Sequence, residues 1–377
     1  MSKENFIFTI NMKSKSKKYN NIKLGIGIGK GIIAFILILL FVLLNYSKEL
    51  EALLRINIQS DYLILLLFTL VIGMVSSIIF FPINYYSGFY LEHKYELSNQ
   101  TFFKWMLENL KGTLVAGVIG IPLLLAFYFF LNLFGSIWWL PFAVLMFIVS
   151  VVLAQILPII ILPIFYKVSP IEDVELKKRI VKLASEVGMK VENVFSFNMS
   201  KNTKKANAAF TGLGKTKRII LGDTLLEGYS KEEIETVIAH EIGHYKHKHI
   251  VKNIFISTIF SFLTLFLIAF FYEFSLSWFN FSDITQIAAL PILSLWGMLI
   301  GLIQTPISNW ISRKYEYEAD EYAVRSTRNP NAFKETLKKL SDQNLGDENP
   351  HPIVEWFFYS HPSIRNRILA INSISLG

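Results

Sequence analysis

Of the 377 residues, 53% are hydrophobic and 15% aromatic, with a mean hydropathy of +0.43, which excludes an ordinary soluble domain and points to a membrane protein. Lys and Arg number 37 against 29 Asp and Glu, a net charge of +8; it fits lysine-rich cytosolic loops better than a nucleic-acid surface, because no basic patch carries interleaved aromatics outside the apolar segments. Cysteine is absent, which excludes disulfides, iron–sulfur clusters and thiolate ligands and leaves histidine and carboxylate to build any zinc site.

Residues 1–30 read as a basic cytosolic tail, with Lys13 to Lys23 ahead of the first apolar run. Gly25, Gly27, Gly29 and Gly31 alternate around Lys30 and miss both nucleotide-binding spacings, so a flexible approach to the membrane is expected there. Six stretches suit the length of about twenty residues that a bilayer requires, at 31–46, 62–83, 113–134, 137–164, 251–272 and 286–310; the first is short, but glycines and isoleucines from Leu24 onward can lengthen it. Lysine and arginine set their orientation. They occur before span one, in a loop at 84–112, and after spans four and six, whereas the connections after spans three and five carry neither. Both termini are therefore expected in the cytosol. A cleavable signal peptide is not expected, because the first apolar run starts late and no small-residue cleavage site follows it. Residues 31–165 hold spans one to four, where Pro158 and Pro163 should kink the last and expose carbonyls toward protein or a water-filled cavity.

Residues 166–250 form a cytosolic segment with an α/β pattern. A helix is expected from Val174 to Val187, closed by Gly188, with strands at 191–197 and 217–221. Between them lie the polar run 198–205 and a short extended stretch, 206–211. Ser230 and Glu233 then make a capping box, and Ile234, Val237, Ile238 and Ile242 an apolar helical stripe. On that helix stands His240-Glu-Ile-Gly-His244, a pattern that chance produces in well under about one per cent of such chains. Two imidazoles four residues apart share a face and suit one zinc ion, while Glu241 is placed to take a proton from the attacking water. That is the apparatus of a metallopeptidase. The helix is expected to run into span five, with the active site at or just inside the cytosolic membrane face. His247 lies about 10 Å along the axis from His240 and His249 points to the opposite side, so both are expected at a surface or interface.

Spans five and six form a hairpin, 251–310, that returns the chain beside the metal helix, and residues 311–377 read as cytosolic helices completing the zinc site. Between Arg313 and Ala323, Glu316 and Asp320 share a helix face, while Glu318 points about 160° away. One carboxylate can bind zinc while the other orients a ligating histidine. The alternative is an exposed acidic helix whose glutamates balance Arg313 and Lys314.

The order of these features is similar to that of the type I CAAX prenyl proteases, integral-membrane zinc peptidases, from about Ser87 to Ala370. Glu316-Tyr-Glu-Ala-Asp320 resembles the family's third-ligand motif, which implies one zinc per chain on His240, His244 and Glu316, with Asp320 in support. Asn207-Ala-Ala-Phe-Thr-Gly and 217–226 resemble the segment before the zinc helix; the likeness implies that Asn207 lies on an edge strand holding the substrate backbone. Ser360-His-Pro-Ser-Ile-Arg-Asn-Arg367 resembles the C-terminal signature and implies His361 and Arg367 as active-site groups. His361 would then hydrogen-bond the oxyanion, and Arg367 would orient the substrate or a nearby carboxylate. Ala209 stands where the family usually has tyrosine, and Glu96 and Ser98 where glycine and asparagine are common. Eukaryotic members have seven spans, one more than is counted here.

The resemblance implies a predominantly α-helical polytopic membrane protein: about six transmembrane helices around a chamber, closed at the cytosolic face by a small α/β zincin-like domain. The function expected is zinc-dependent endopeptidase action on peptides that are prenylated or membrane-bound. The alternatives are a heat-shock-type quality-control peptidase of the membrane and, in another class, a transporter with a vestigial metal motif. Scarce charges within the spans and the lack of an inverted repeat disfavour the transporter. The expected partners are a peptide or protein substrate and the lipid bilayer, with no nucleic acid and a monomeric chain. A prokaryotic cell membrane is expected, or the endoplasmic reticulum in a eukaryote, although Ile374-Ser-Leu-Gly is no retention signal.

Overall fold

The structure, a computed structural model, describes residues 3–189, 194–211 and 218–375. Parts of the two expected strands, 191–193 and 217, lie outside the described residues. α1 (Lys3–Leu43) is followed by a short amphipathic helix, α2 (Tyr46–Arg55). α3 (Asp61–Tyr85) continues through a π-helical turn, Tyr86–Tyr90, into α4 (Leu91–Lys94), and α5 (Phe102–Phe134) returns. α6 (Trp139–Ile156) runs through a second π-helical turn, Leu157–Ile161, into α7 (Leu162–Phe165). Pro158 sits in that turn, where its missing N–H removes one bond from the i to i−4 ladder.

Among the described residues six helices are long and apolar enough to cross a membrane, the last two being α11 and α12 below. They leave large apolar side chains such as Ile78, Val118 and Ile303 exposed, which suits contact with lipid. The fold is thus the expected one, a multi-pass helical bundle with a small α/β part. All six spans contribute to an apolar cavity of about 800 Å³, with Phe41, Phe68, Phe127, Phe142, Leu265 and Leu293 among its walls.

Two expectations at the polar ends of the spans are corrected. Gly25, Gly27, Gly29 and Gly31 lie inside α1 and form no flexible approach. A Cβ at any of them would meet nothing within 4 Å, so Gly25 and Gly29 stand open on one side of the helix and Gly27 and Gly31 on the other. The helical penalty of about 1 kcal/mol per glycine is outweighed by the need to satisfy each backbone group near the bilayer. Likewise the 84–112 connection is mostly helix, with its non-helical part confined to 95–101. The apolar runs stop at Ile83 and resume at Thr113, but Tyr85 and Phe89 pack on Phe102 at ring separations of 5.9 and 5.7 Å and hold both helix ends together.

At one end of the bundle stand β1 (Val168–Pro170), α8 (Val174–Glu186), β2 (Val194–Phe197), β3 (Ala208–Thr211), β4 (Arg218–Gly222), α9 (Asp223–Gly228) and α10 (Lys231–Lys246). The strand order is β1-β2-β4-β3; β2 and β4 are parallel, the other two pairs antiparallel, and β3 is an outer edge among the described residues. α8 starts where the Asp173 carboxylate accepts from Leu176 N at 2.9 Å and is closed by Gly188 at φ +71°. The chain goes on as α11 (His249–Ser275), α12 (Pro291–Thr327), α13 (Pro330–Asn344), α14 (Pro352–Phe358) and α15 (Ile364–Asn372). Leu176, Ile180, Ile219, Leu221, Ile234 and Ile238 make one buried core with Ala323, Phe333 and Ile371. At roughly 1.5–3 kcal/mol per large side chain, that core fixes α10 between the sheet and the end of α12.

α10 does not run on into the fifth span. Lys248 takes the left-handed conformation, φ 56° and ψ 33°, and breaks the helix one residue before α11 begins.

Candidate metal centre

α10 begins with the expected capping box: Ser230 Oγ accepts from Glu233 N at 3.2 Å and Glu233 Oε2 from Ser230 N at 2.8 Å. Its Gly243 lets it lie directly on the backbone of α12 at Ala319, and this contact brings His240 and His244 against Glu316. His240 Nε2 is 3.2 Å from His244 Nε2 and 3.4 Å from Glu316 Oε2, and His244 Nε2 is 3.3 Å from Glu316 Oε1. Donors bound tetrahedrally at about 2.0–2.1 Å stand about 3.3 Å apart, so the three groups have the spacing of a single-ion site. Glu316 is only 4% exposed and its Oε2 has no hydrogen-bond partner, a costly state for a buried carboxylate that a divalent cation removes. The set is nitrogen and oxygen only, as a chain without cysteine requires.

The reverse side of His240 is held by α12 and α15. His240 Nδ1 is 2.9 Å from Asp320 Oδ1, and Arg367 takes the same carboxylate two-pronged, Nε at 2.8 Å and Nη2 at 2.5 Å. Arg367 Nη2 also lies 3.4 Å from His240 Nδ1, but two N–H donors do not pair, and the shorter contact to Asp320 is the hydrogen bond. Asp320 is 1% and Arg367 8% exposed. Burial works against a proton on His240, yet Asp320 and Glu316 outweigh it and raise its pKa to about 9 in the metal-free protein.

Glu241, His361, Asn207 and Arg367 line one pocket of about 430 Å³ with His240 and Glu316. Glu241 is partly buried. The His361 side chain is 66% exposed at the mouth; its Nδ1 is 2.9 Å from Glu316 Oε2, in a direction that gives that oxygen no hydrogen bond. Asn207 stands immediately before β3 and not within it, and its carbonyl accepts from Gly222 N at 2.9 Å. Two features escaped sequence reasoning. One is the apolar wall of the pocket, Val237, Phe333, Leu337 and Leu340, which reads in the sequence as ordinary core. The other is His249, which is buried and touches His244; its expected direction, opposite to the two histidines, assumed a helix unbroken at Lys248. His247 is partly buried and stacks on His249 at 5.6 Å.

Residues 170–375 match the sequence model described as peptidase family M48. The chain belongs to this family. Residues 7–167 match a second model, CAAX prenyl protease N-terminal, five membrane helices. CAAX prenyl protease 1 of Saccharomyces cerevisiae is 34% identical over 329 residues, covering 81% of this chain and 71% of that protein. An uncharacterized metalloprotease of Bacillus subtilis, YhfN, is 28% identical over 357 residues, covering 94% and 84%. The crystal structure of Ste24p from S. mikatae superposes with a TM-score of 0.86 at 30% identity, over 96% of this chain and 89% of that one. The M48 chain described here is therefore a membrane metalloendopeptidase related to the CAAX prenyl proteases, as the motif resemblance implied. Where the second model names five membrane helices, the described part of 7–167 holds four of spanning length; α2 has only ten residues.

Proposed function

We propose that the chain is a zinc endopeptidase in which His240, His244 and Glu316 are the ligands, acting on peptides that are prenylated or otherwise held at the membrane. The observation that carries this reading is the mutual 3.2–3.4 Å spacing of the three donor groups around an orphaned carboxylate oxygen. When bound, zinc supplies a Lewis acid for the scissile carbonyl and lowers the pKa of a water. Glu241, in the same pocket, takes a proton from the attacking water and passes it to the leaving amine. His361 offers a ring N–H to the developing oxyanion from the pocket mouth. Arg367 orients Asp320, and Asp320 keeps the His240 proton on Nδ1 so that Nε2 faces the ion. Asn207 leads the substrate onto the outer edge of β3, where an extended peptide can add as a strand.

The parts divide accordingly: residues 166–250 and 311–377 carry the peptidase on the cytosolic side, and 31–165 and 251–310 the membrane bundle. The basic segments support that orientation, and the apolar cavity between the spans suits a hydrocarbon tail on the substrate. The chain acts as a monomer in this reading, and one copy carries a complete set of ligands, base and pocket.

The purified protein should contain one zinc and cut a farnesylated C-terminal peptide faster than the same peptide without the lipid. Equal rates on both, or faster cutting of an unfolded membrane protein, would overturn the prenyl-substrate reading in favour of quality control.

A further inference from the structure

We propose that His249 and Glu318 are positioning residues that fix the ring and tautomer of His244, as Asp320 and Arg367 do for His240. The inference rests on the ligand set proposed above. His244 Nε2 faces His240 and Glu316, so a lone pair is needed there and the proton must sit on Nδ1. That Nδ1 is 2.9 Å from His249 Nδ1, and His249 Nε2 is 2.9 Å from Glu318 Oε2. Only one order of protons satisfies all three groups: His244 Nδ1–H donates to His249 Nδ1, and His249 Nε2–H donates to Glu318. The reverse order would move the His244 proton onto Nε2 and turn a lone pair of His249 toward a carboxylate.

The packing shows a built arrangement. His249 is 2% exposed, and its ring lies on Tyr315 at 4.2 Å and an interplanar angle of 12°. Lys252 Nζ stands 3.7 Å from Glu318 Oε2 and balances its charge. The left-handed Lys248 supplies the reversal that puts the first residue of α11 beside His244. Without this break His249 would point away from the site. Glu318, two residues from Glu316, faces off the metal and is free for this role. One helix, α12, thus carries the third donor group and the carboxylates behind both histidines.

The test measures zinc affinity of the full-length protein in detergent by competition with a chromogenic chelator. His249→Phe keeps the ring on Tyr315 and removes both nitrogens; His249→Gln keeps one acceptor and one donor; Glu318→Gln changes only the partly exposed end. Losing an outer partner of a metal-bound histidine costs 10–100-fold in affinity, so His249→Phe should lose about that much and Glu318→Gln about 10-fold. His249→Gln should recover most of it. A purely structural role would rank the Phe variant, with its intact stacking, above the Gln variant. Wild-type zinc affinity in both His249→Phe and Glu318→Gln, or no gain of Gln over Phe, overturns this inference alone. If Glu316→Gln also binds zinc like the wild type, the ligand reading itself fails.

Discussion

Gly243 lies so close to Ala319 that a Cβ on it would stand 2.9 Å from the Ala319 Cα and 3.0 Å from its carbonyl oxygen. Backbone atoms cannot give way as a flexible side chain does. This contact therefore sets the distance between α10 and α12, and Ala319 sits between Glu316 and Asp320. Gly243→Ala should cost about 1–3 kcal/mol as overpacking and weaken metal binding as well, because helix separation and donor spacing are one quantity here. Thermal unfolding and chelator competition on the same preparation check this, and an unchanged metal affinity would count against it.

Glu241→Gln should leave metal content intact and lower turnover by about 10²–10⁴-fold, the range for a positioned general base. The substitution preserves shape and volume, and Glu241 is not among the three clustered donors. Metal analysis and single-turnover cleavage of a farnesylated peptide separate the two effects; loss of metal would make Glu241 a ligand instead.

Arg367→Ala should be among the most destabilising single changes in the chain. It leaves Asp320 charged and buried without its two-pronged partner, for which about 3–5 kcal/mol is the usual penalty. Arg367→Ala combined with Asp320→Asn should cost clearly less than the two single changes added together, since the neutral amide no longer needs the guanidinium. A double-mutant cycle by thermal unfolding measures that coupling.

What the sequence made legible is local. The spacing of His240 and His244, the Ser230–Glu233 capping box and the six apolar runs each follow from one periodicity, and each is found in the structure. His249 was misplaced because its position depends on a single left-handed residue, Lys248, whose side chain gives no sign of it. The glycines of α1 read as flexible because propensity scales describe water, where unpaired backbone is cheap, whereas near lipid it is not. The pocket wall of Phe333 and Leu337 was invisible for another reason: a residue lining a cavity and one filling a core have the same helical period.

Metal binding should strengthen as pH rises toward 9. The carboxylates of Asp320 and Glu316 hold a proton on His240 up to about pH 9 in the metal-free protein, against 6.5 for a free imidazole, and a ligating histidine must shed it. The same shift gives the metal-free fold a pH-dependent stability of definite sign. A folded pKa above the unfolded one stabilises fully below about pH 6.5, and the contribution is lost as pH climbs through 9. The metal-loaded protein lacks this loss, because His240 is already deprotonated there. The gap in unfolding temperature between loaded and chelated protein should therefore widen from pH 6.5 to 9. Asp320→Asn should flatten that widening, since the Asp320 carboxylate contributes most to raising the His240 pKa; a gap that stays constant with pH would show that metal uptake displaces no proton from His240.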